Sequence, residues 1–199
     1  MSLRPPPLSG RSNILRLLRR KLLAVTGNTE VSYLGHLGGV RMRAEFASLV
    51  HQHMKHNKRI WVLTNDLGYK MWDSVRKDYP KRFINVGAAE QTMLSMGVGL
   101  ALEGQIPLCY SITTFLLYRS FEVIRNYINY ESIPVKLIGS GREKDYIHDG
   151  ISHWPLEEKQ IMKIYKNIHS VWPKSSLELP DLVDEMLKSD KPWYINLRR

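Results

Sequence analysis

Six short, almost uninterrupted apolar runs, separated by longer segments of helical character, constrain the fold of this chain most strongly. They lie at residues 60–66, 83–87, 106–112, 134–141, 168–173 and 193–197. Strands that are covered on both faces need this near-continuous apolar character, and strands that alternate with helices form parallel sheets with right-handed crossovers. The sequence therefore predicts an α/β fold, an open three-layer sandwich around a mostly parallel sheet of about six strands.

The segments between these runs predict the helices that cover the sheet. Helices are expected at residues 42–56, 69–78, 114–129, 155–163 and 179–189, with one more that begins near Glu90. Residues 142–154 are polar and predict a loop.

Residues 1–40 differ in composition from the rest of the chain. Six basic residues precede the first acidic one, Glu30, and a segment rich in glycine and turn-forming residues follows at 27–39. We expect a basic N-terminal arm and linker over residues 1–40 and one domain over residues 41–199. The arm is arginine-rich and amphipathic in places, as organelle transit peptides are, but a solvated helical arm explains the same residues equally well.

Composition limits the protein class without selecting a function. No apolar run reaches the ~20 residues that a membrane span needs, so we expect a soluble protein. The single cysteine, Cys109, excludes an intrachain disulfide and fits a reducing cytoplasm. The net charge of +10 favours polyanions, phosphorylated metabolites or an acidic partner protein. Nucleic-acid binding stays open as an alternative, although the chain contains no recognisable motif for it.

Polar residues follow four of the predicted strands. Asp66 ends the first strand, Glu90 follows the second, residues 113–115 follow the third and residues 142–153 follow the fourth. The carboxyl ends of parallel strands share one edge of the sheet, where ligands bind in open α/β sheets. Asp66 also fits a simple cap of a turn or helix, and Glu90 fits a favourable interaction with a helix dipole.

The helix that follows Glu90 is apolar and rich in small residues, which predicts tight packing. A carboxyl group buried there must be protonated or paired with a specific group. Phe115, Tyr118 and Phe121 follow at i, i+3 and i+6, and we expect them along one side of a helix. Such aromatics usually belong to the core. With Glu90 they also fit a slot for a flat heteroaromatic ring.

Four segments, in this order, resemble the pyrimidine-binding domain of transketolases and of related thiamine diphosphate enzymes. They are 66-DLG-68, then 84-INVGAAEQTMLSMGVGLALEGQIPLCYSITTFLLYRSFEVIR-125, then 149-DGISHWPLEE-158, and then 192-PWYINLRR-199. The resemblance covers about residues 42–199. It implies the pyrimidine-type thiamine diphosphate-binding fold.

The resemblance also implies roles for individual residues. Glu90 matches the glutamate that hydrogen-bonds the aminopyrimidine ring of the cofactor and promotes its imino form, which deprotonates the thiazolium carbon. Cofactor-binding positions are Asp66, Leu67, Phe115, Tyr118 and Phe121. Substrate-binding positions are Arg43, Asp149, His153 and Arg199, with His153 close to a substrate phosphate.

The chain departs from the transketolase pattern in four respects. Lys70 stands where transketolases carry a phosphate-binding serine, and Gly141 or Arg142 replaces a histidine that contacts a substrate hydroxyl. The segment with which the family holds Mg²⁺ and the diphosphate does not occur in the sequence, and neither does the transketolase C-terminal domain. We therefore expect a split enzyme in which a separate subunit carries Mg²⁺ and the diphosphate half, arranged as a heterotetramer built on a homodimer of each chain.

The leading hypothesis is the pyrimidine-binding subunit of a two-component enzyme that moves a two-carbon ketol unit between sugars. One alternative uses the same cofactor, as a component of a 2-oxo acid decarboxylase or dehydrogenase or of an enzyme like 1-deoxyxylulose-5-phosphate synthase. Another is a non-catalytic interaction protein with the same fold. No metal site is expected within this chain.

Overall fold

The computed structural model describes the backbone of residues 29–199 and the side chains of residues 42–199. Residues 1–28, and with them the predicted amphipathic arm, lie outside the described part. The compact unit that contains the sheet is Gly38–Arg199. None of the helices within residues 29–199 combines the length and the apolar character that a membrane crossing requires.

A single sheet of six parallel strands forms the middle layer. The strands are β1 (Ile60–Thr64), β2 (Phe83–Asn85), β3 (Ile106–Ile112), β4 (Lys136–Ser140), β5 (His169–Val171) and β6 (Trp193–Leu197). Their order across the sheet is β2-β1-β3-β4-β6-β5, and every pair is parallel. The predicted open α/β sandwich is confirmed, and each strand falls within one of the six apolar runs.

Helical segments connect the strands. The α-helices are α1 (Thr29–His56), α2 (Asp73–Asp78), α3 (Glu90–Leu102), α4 (Phe121–Val123), α5 (Glu158–Ile164) and α6 (Leu179–Lys188). Two π-helical stretches, Phe115–Arg119 and Ile124–Tyr130, flank α4. Single 3₁₀ turns lie at Pro80–Arg82, Ile151–His153 and Ser176–Glu178.

The helix predicted at residues 42–56 begins earlier than expected, at Thr29, so that part of the expected linker is helical. Glycine costs a helix only about 1 kcal/mol per residue relative to alanine, which is too little to stop a long helix. The boundary between arm and domain stays a prediction.

The two faces of the sheet carry separate apolar cores. Helices α1, α2 and α6 pack on one face, and α3, α5 and the segment around α4 pack on the other. Strand β3 shows why both faces are apolar: Ile106, Leu108 and Tyr110 point to the first core, whereas Cys109 points to the second. Side chains alternate between the faces of a strand, so a strand buried on both sides reads as one continuous apolar run.

The register aligns one row of residues across four strands. Leu63 pairs with Cys109, Cys109 with Leu137, and Leu137 with Tyr194. Helix α3 lies directly over this row at Gly97, where an added Cβ would come within 2.7 Å of the Cys109 sulfur. Glycine therefore sets how closely α3, and with it Glu90 at its first residue, approaches the sheet.

Candidate functional site

The loops that leave β1 and β3 lie at the point where the strand order reverses. From β1 the chain moves outward to β2, and it then returns to place β3 on the other side of β1. Crevices of this kind hold the ligands of open α/β sheets. Asp66 and Leu67 follow β1, and Phe115 follows β3 after two threonines. The topology therefore brings the predicted strand-end residues to one edge, as expected.

Glu90 is buried at the start of α3, with 4% of its surface exposed. Arg119 donates a hydrogen bond from Nη1 to Glu90 Oε1 at 2.9 Å. The guanidinium carbon of Arg119 also lies 3.8 Å from the centre of the Phe115 ring. The prediction of a buried, specifically paired carboxyl group is confirmed, and its partner is an arginine that the sequence reading did not single out.

Phe115, which packs against the Glu90 partner Arg119, also contacts the segment that follows β4. Its ring lies 4.8 Å from the ring of His153, edge to face. The ring of His153 is in turn 5.5 Å from that of Tyr146. Thr114 Oγ1 donates to the carbonyl oxygen of Ser152 at 2.6 Å and so ties the strand-end loop to the 3₁₀ turn that carries His153.

The predicted aromatic residues Phe115, Tyr118 and Phe121 contact different residues of the segment that follows β4, and their arrangement along one side of a helix stays a prediction. Tyr118 donates its hydroxyl to Glu157 Oε2 at 3.0 Å, whereas Phe121 packs 5.6 Å from the ring of Tyr165 on the core side. Residues 115–119 form a π-helix, which has a wider turn than an α-helix. Burial, followed by the hydrogen bond to Glu157, raises the pKa of Tyr118.

A second group of site residues surrounds an open cavity of about 440 Å³. Arg43 from α1, Lys70 from the loop after β1 and the terminal Arg199 line it together with Leu67 and Tyr146. Two of the predicted substrate-binding residues, Arg43 and Arg199, therefore come together, and Lys70 joins them. Three cations beside one cavity form a site that favours an anionic group.

Two of the three cations, Arg43 and Arg199, have contacts with other side chains. The Nε atom of Arg43 is buried without a partner, and its Nη1 atom lies 3.5 Å from Ser140 Oγ. The guanidinium of Arg199 lies 4.4 Å from the centre of the Tyr146 ring, and its Nη1 is 3.4 Å from Asp149 Oδ2. Asp149, a third predicted substrate-binding residue, thus contacts Arg199 of the cavity lining.

Tyr146 stands between the cavity and His153. Its hydroxyl lies 2.9 Å from Ser140 Oγ, and its ring packs against Gly141, where an added Cβ would meet the ring at 2.2 Å. Burial raises the pKa of Tyr146, and the cations Arg43 and Arg199 oppose that shift. Glycine is required at position 141, which also has a positive φ of 86°.

Asp66 lies in the turn after β1, directly before Leu67 of the cavity lining. It has a left-handed backbone with φ of 47°, and its Oδ1 accepts the Tyr69 hydroxyl at 3.2 Å. Its backbone N–H donates to Asn85 Oδ1 at 2.8 Å, which joins the ends of β1 and β2. Asp66 therefore stabilises the turn after β1, which agrees with the interpretation of Asp66 as a cap. Its contact with a cofactor stays a prediction.

A buried polar cluster supports the ends of β3, β4 and β6 behind the site. Glu158 Oε1 accepts hydrogen bonds from Tyr194, Asn196 and Trp172. Asn196 Nδ2 also lies within hydrogen-bond distance of Thr113 Oγ1 and of the carbonyl oxygen of Gly141, and the backbone carbonyl oxygen of Asn196 accepts from Arg142 Nη2. Burial raises the pKa of Glu158, and its three donors oppose that shift. Arg142 is thus a structural residue, buried away from the cavity lining.

Among the residues whose side chains are described, no three His, Cys, Asp or Glu side chains form a group suited to a metal ion. Sequence reasoning did not identify three residues of the site: Arg119, Tyr146 and Ser152. A signal for Arg119 was available, because it follows Phe115 by four residues, a spacing that allows a guanidinium to stack on an aromatic ring.

Comparison with known proteins identifies the domain. The sequence matches the family described as "Transketolase, pyrimidine binding domain" over residues 38–199. It is 29% identical over 159 residues to a "Putative transketolase C-terminal section" of Methanocaldococcus jannaschii, a match that covers 79% of this chain and 50% of that protein. It is also 29% identical over 161 residues to the "6-deoxy-6-sulfo-D-fructose transketolase subunit SqwH" of Clostridium sp. strain MSTE9, covering 79% and 49%.

A solved structure titled "Split gene transketolase, inactive beta4 tetramer" has the same fold, with a TM-score of 0.70 and 28% identity, covering 79% of this chain and 51% of that one. The chain therefore spans about half the length of the relatives that it matches. The family model matches residues 38–199, and the six-stranded parallel sheet agrees with it. The chain therefore belongs to the transketolase pyrimidine-binding domain family.

Proposed function

We propose that this chain is the pyrimidine-binding subunit of a two-component, thiamine diphosphate-dependent enzyme of the transketolase type. In this proposal it acts in the cytoplasm and transfers a two-carbon ketol unit between sugars. The observation that carries the proposal is the burial of the Glu90 carboxyl group beside Phe115 and Arg119 at the crevice edge.

The residues around Glu90 fit an aminopyrimidine ring. Arg119 makes the two interactions that such a ring needs: it stacks a planar group on Phe115 and donates an N–H to Glu90 Oε1. A planar heterocycle with a ring N–H can make the same pair of contacts. Glu90 would hold and exchange the proton of the ring nitrogen, and Phe115 would support the ring face. The cofactor would supply the carbon nucleophile that ketol transfer requires.

The other predicted residues support this assignment in different ways. Asp66, Leu67 and Tyr118 would flank the cofactor. Phe121, which packs on Tyr165, would act only by supporting the segment that carries Phe115.

The cavity beside the crevice suits the anionic end of a sugar substrate. Arg43, Lys70 and Arg199 would bind a phosphate or another acidic group there, and Tyr146 would separate that group from the reacting carbon. His153, whose ring packs against that of Tyr146, and Asp149, which is paired with Arg199, would contact the sugar. The substrate would thus extend from the residues around Glu90 to the cations Arg43, Lys70 and Arg199.

We infer that a separate subunit supplies Mg²⁺ and the diphosphate half, in a heterotetramer built on two copies of each chain. Relatives named as a transketolase section and as a transketolase subunit support a two-component form. The full chain, carrying an affinity tag, should co-purify from its own cells with a protein that binds thiamine diphosphate and Mg²⁺. Recovery of the chain alone, at every salt concentration, would contradict the two-component form.

Substitution of Glu90 in the reconstituted pair tests the catalytic assignment. Glu90→Gln keeps the size of the side chain but removes the proton exchange, and we expect turnover to fall roughly 10²–10⁴-fold. Glu103→Gln is the matched control, because Glu103 is exposed at the far end of the same helix. Equal turnover in both variants would favour a non-catalytic protein with this fold. Release of CO₂ from 2-oxo acids, without transfer between sugars, would favour the decarboxylase alternative.

A further inference from the structure

His153 is held by its own neighbour in the chain. Residues Ile151–His153 form one 3₁₀ turn after Gly150, which has a positive φ of 75°. Within this turn Ser152 Oγ lies 2.9 Å from His153 Nδ1. The same hydroxyl is 3.3 Å from the carbonyl oxygen of Asp149. One serine hydroxyl thus contacts both a ring nitrogen and a backbone acceptor.

The number of protons decides the direction of these two hydrogen bonds. A serine hydroxyl has one proton to donate, and a carbonyl oxygen can only accept. If the hydroxyl donates to Asp149, it must accept from His153, and then Nδ1 carries the ring proton. A neutral imidazole has only one N–H, so Nε2 is left with a free lone pair. In the opposite tautomer the hydroxyl would donate to Nδ1, and its contact with Asp149 would be lost.

Aromatic contacts fix the plane of this imidazole. Phe115 meets the ring edge to face at 4.8 Å, and Tyr146 lies 5.5 Å away on the side of the cavity. Thr114 holds the carbonyl oxygen of Ser152 at 2.6 Å, so the turn itself is tied to the end of β3. With Nδ1 engaged by Ser152, Nε2 is the nitrogen that remains for a ligand.

We propose that Ser152 is a positioning residue that holds His153 in the Nδ1–H tautomer, so that Nε2 accepts a hydrogen bond from a substrate hydroxyl. This inference rests on the proposed function only in taking the ligand to be a sugar. The dianion of a sugar phosphate ester is a poor ligand for this nitrogen, because it carries no proton to donate to the Nε2 lone pair. The anionic group belongs with Arg43, Lys70 and Arg199. His153 therefore recognises a hydroxyl and not the substrate phosphate that the family resemblance implies.

The tautomer can be measured on the full chain alone by ¹⁵N–¹H correlation spectra of its histidine rings. At pH 8 an ordinary histidine is neutral. The His153 signals are assigned from their loss in His153→Gln. We expect His153 to carry its proton on Nδ1 in the native chain and in Ser152→Thr, which keeps the hydroxyl. Ser152→Ala should move the proton to Nε2, while the signals of the other six histidines stay in place.

An Nε2–H tautomer in the native chain, or the same tautomer in the native chain and Ser152→Ala, would overturn the proposal. Inorganic phosphate provides a second probe. It should leave the His153 nitrogen shifts unchanged, and protonation of Nε2 on adding phosphate would overturn the assignment of a hydroxyl ligand. Neither measurement needs the cofactor or a partner, so a failure here leaves the Glu90 assignment standing. The Glu90→Gln assay can fail without affecting the tautomer.

Discussion

Arg119 donates a hydrogen bond from Nη1 to Glu90 Oε1 at 2.9 Å, and the two side chains differ widely in exposure. The Glu90 side chain is 4% exposed, whereas that of Arg119 is 48% exposed. Glu90 therefore cannot find another partner without moving α3, but Arg119 can swing into solvent. The pair is a buried acceptor with a removable donor, which is the arrangement that a ligand competing for Glu90 requires.

The first prediction concerns the stability that Arg119 provides. Arg119→Met removes the donor but keeps an unbranched chain over Phe115, so the buried carboxyl group loses its partner. We expect the free energy of unfolding at pH 7 to fall by about 1–3 kcal/mol. Urea titrations followed by circular dichroism measure it.

Arg125→Met is the control for Arg119→Met, since Arg125 is exposed on the second π-helical stretch, Ile124–Tyr130. Glu90→Gln should reduce the cost of losing Arg119, because a neutral amide needs no counter-charge. Equal losses for Arg119→Met in the native and the Glu90→Gln backgrounds would contradict the coupling.

Helix α3 contains two glycines that should respond to alanine in opposite ways. At Gly97 a new Cβ would come within 2.7 Å of the Cys109 sulfur, whereas at Gly99 it would meet nothing within 4 Å. We expect Gly97→Ala to destabilise the fold by about 1–3 kcal/mol through overpacking. Gly99→Ala should stabilise it by up to about 1 kcal/mol, because alanine is the better helix former.

Thermal and urea unfolding of the two alanine variants of α3 can be compared directly. Each variant serves as the other's control, since the chemical change and the helix are the same. Stabilisation by Gly97→Ala would show that α3 does not approach β3 as closely as the structure describes.

Much of the architecture could be predicted because a strand that is buried on both faces is apolar at nearly every position of the sequence. Strand β3 is apolar at nearly every position since both cores need it, and the crossover rules then fix parallel pairing. The burial of Glu90 could be predicted for the same reason. Met93, Leu94, Gly97 and Val98, which follow it on one helical face, are all buried.

The contacts of the site were harder to predict because they depend on backbone geometry that no periodicity encodes. Residues 115–119 adopt a π-helix, which spacing counted in α-helical turns does not predict, and Phe121 packs against the second core. Tyr146 and Ser152 lie in a segment that reads only as a polar loop. Their roles follow from the turn at Gly150 and from the ring packing of His153, which are tertiary features.

Lys136 gives a prediction about pH. It is buried at the start of β4, where Nζ donates to the carbonyl oxygens of Ser189 at 2.8 Å and Lys191 at 2.6 Å. Burial lowers the pKa of Lys136 from 10.5 to about 8. Between those two pH values the unfolded chain binds a proton that the folded chain does not, so folding stability should rise with pH in this window.

The comparison with Lys136→Met isolates this effect from tyrosine ionisation at high pH, which both proteins share. The difference in unfolding free energy between the native chain and Lys136→Met should grow in favour of the native chain by about 1–3 kcal/mol from pH 8 to pH 10.5. Below pH 8 it should be constant. Lys163→Met, at an exposed position, should show no such trend. A difference independent of pH for Lys136→Met would mean that the amine keeps its ordinary pKa.

Arg43 gives the last prediction, which concerns the cavity of three cations. Its Nε atom is buried without a partner, and its only polar contact among the described side chains is the long one, 3.5 Å, between Nη1 and Ser140 Oγ. A guanidinium with free donors beside Lys70 and Arg199 is poised for a charge-assisted bond to an anion. Arg43→Met should therefore weaken binding of inorganic phosphate to the full chain about 10–100-fold, which corresponds to the roughly 1.5–3 kcal/mol of one such bond. Calorimetric titration at low salt measures the affinity.

Arg76→Met is the control for the change in net charge, because it removes an exposed arginine of α2 that is paired with Asp73. It should leave the affinity within about twofold of the native chain. Equal losses in the two variants would mean that phosphate responds to the overall charge of the chain and that the cavity does not bind it.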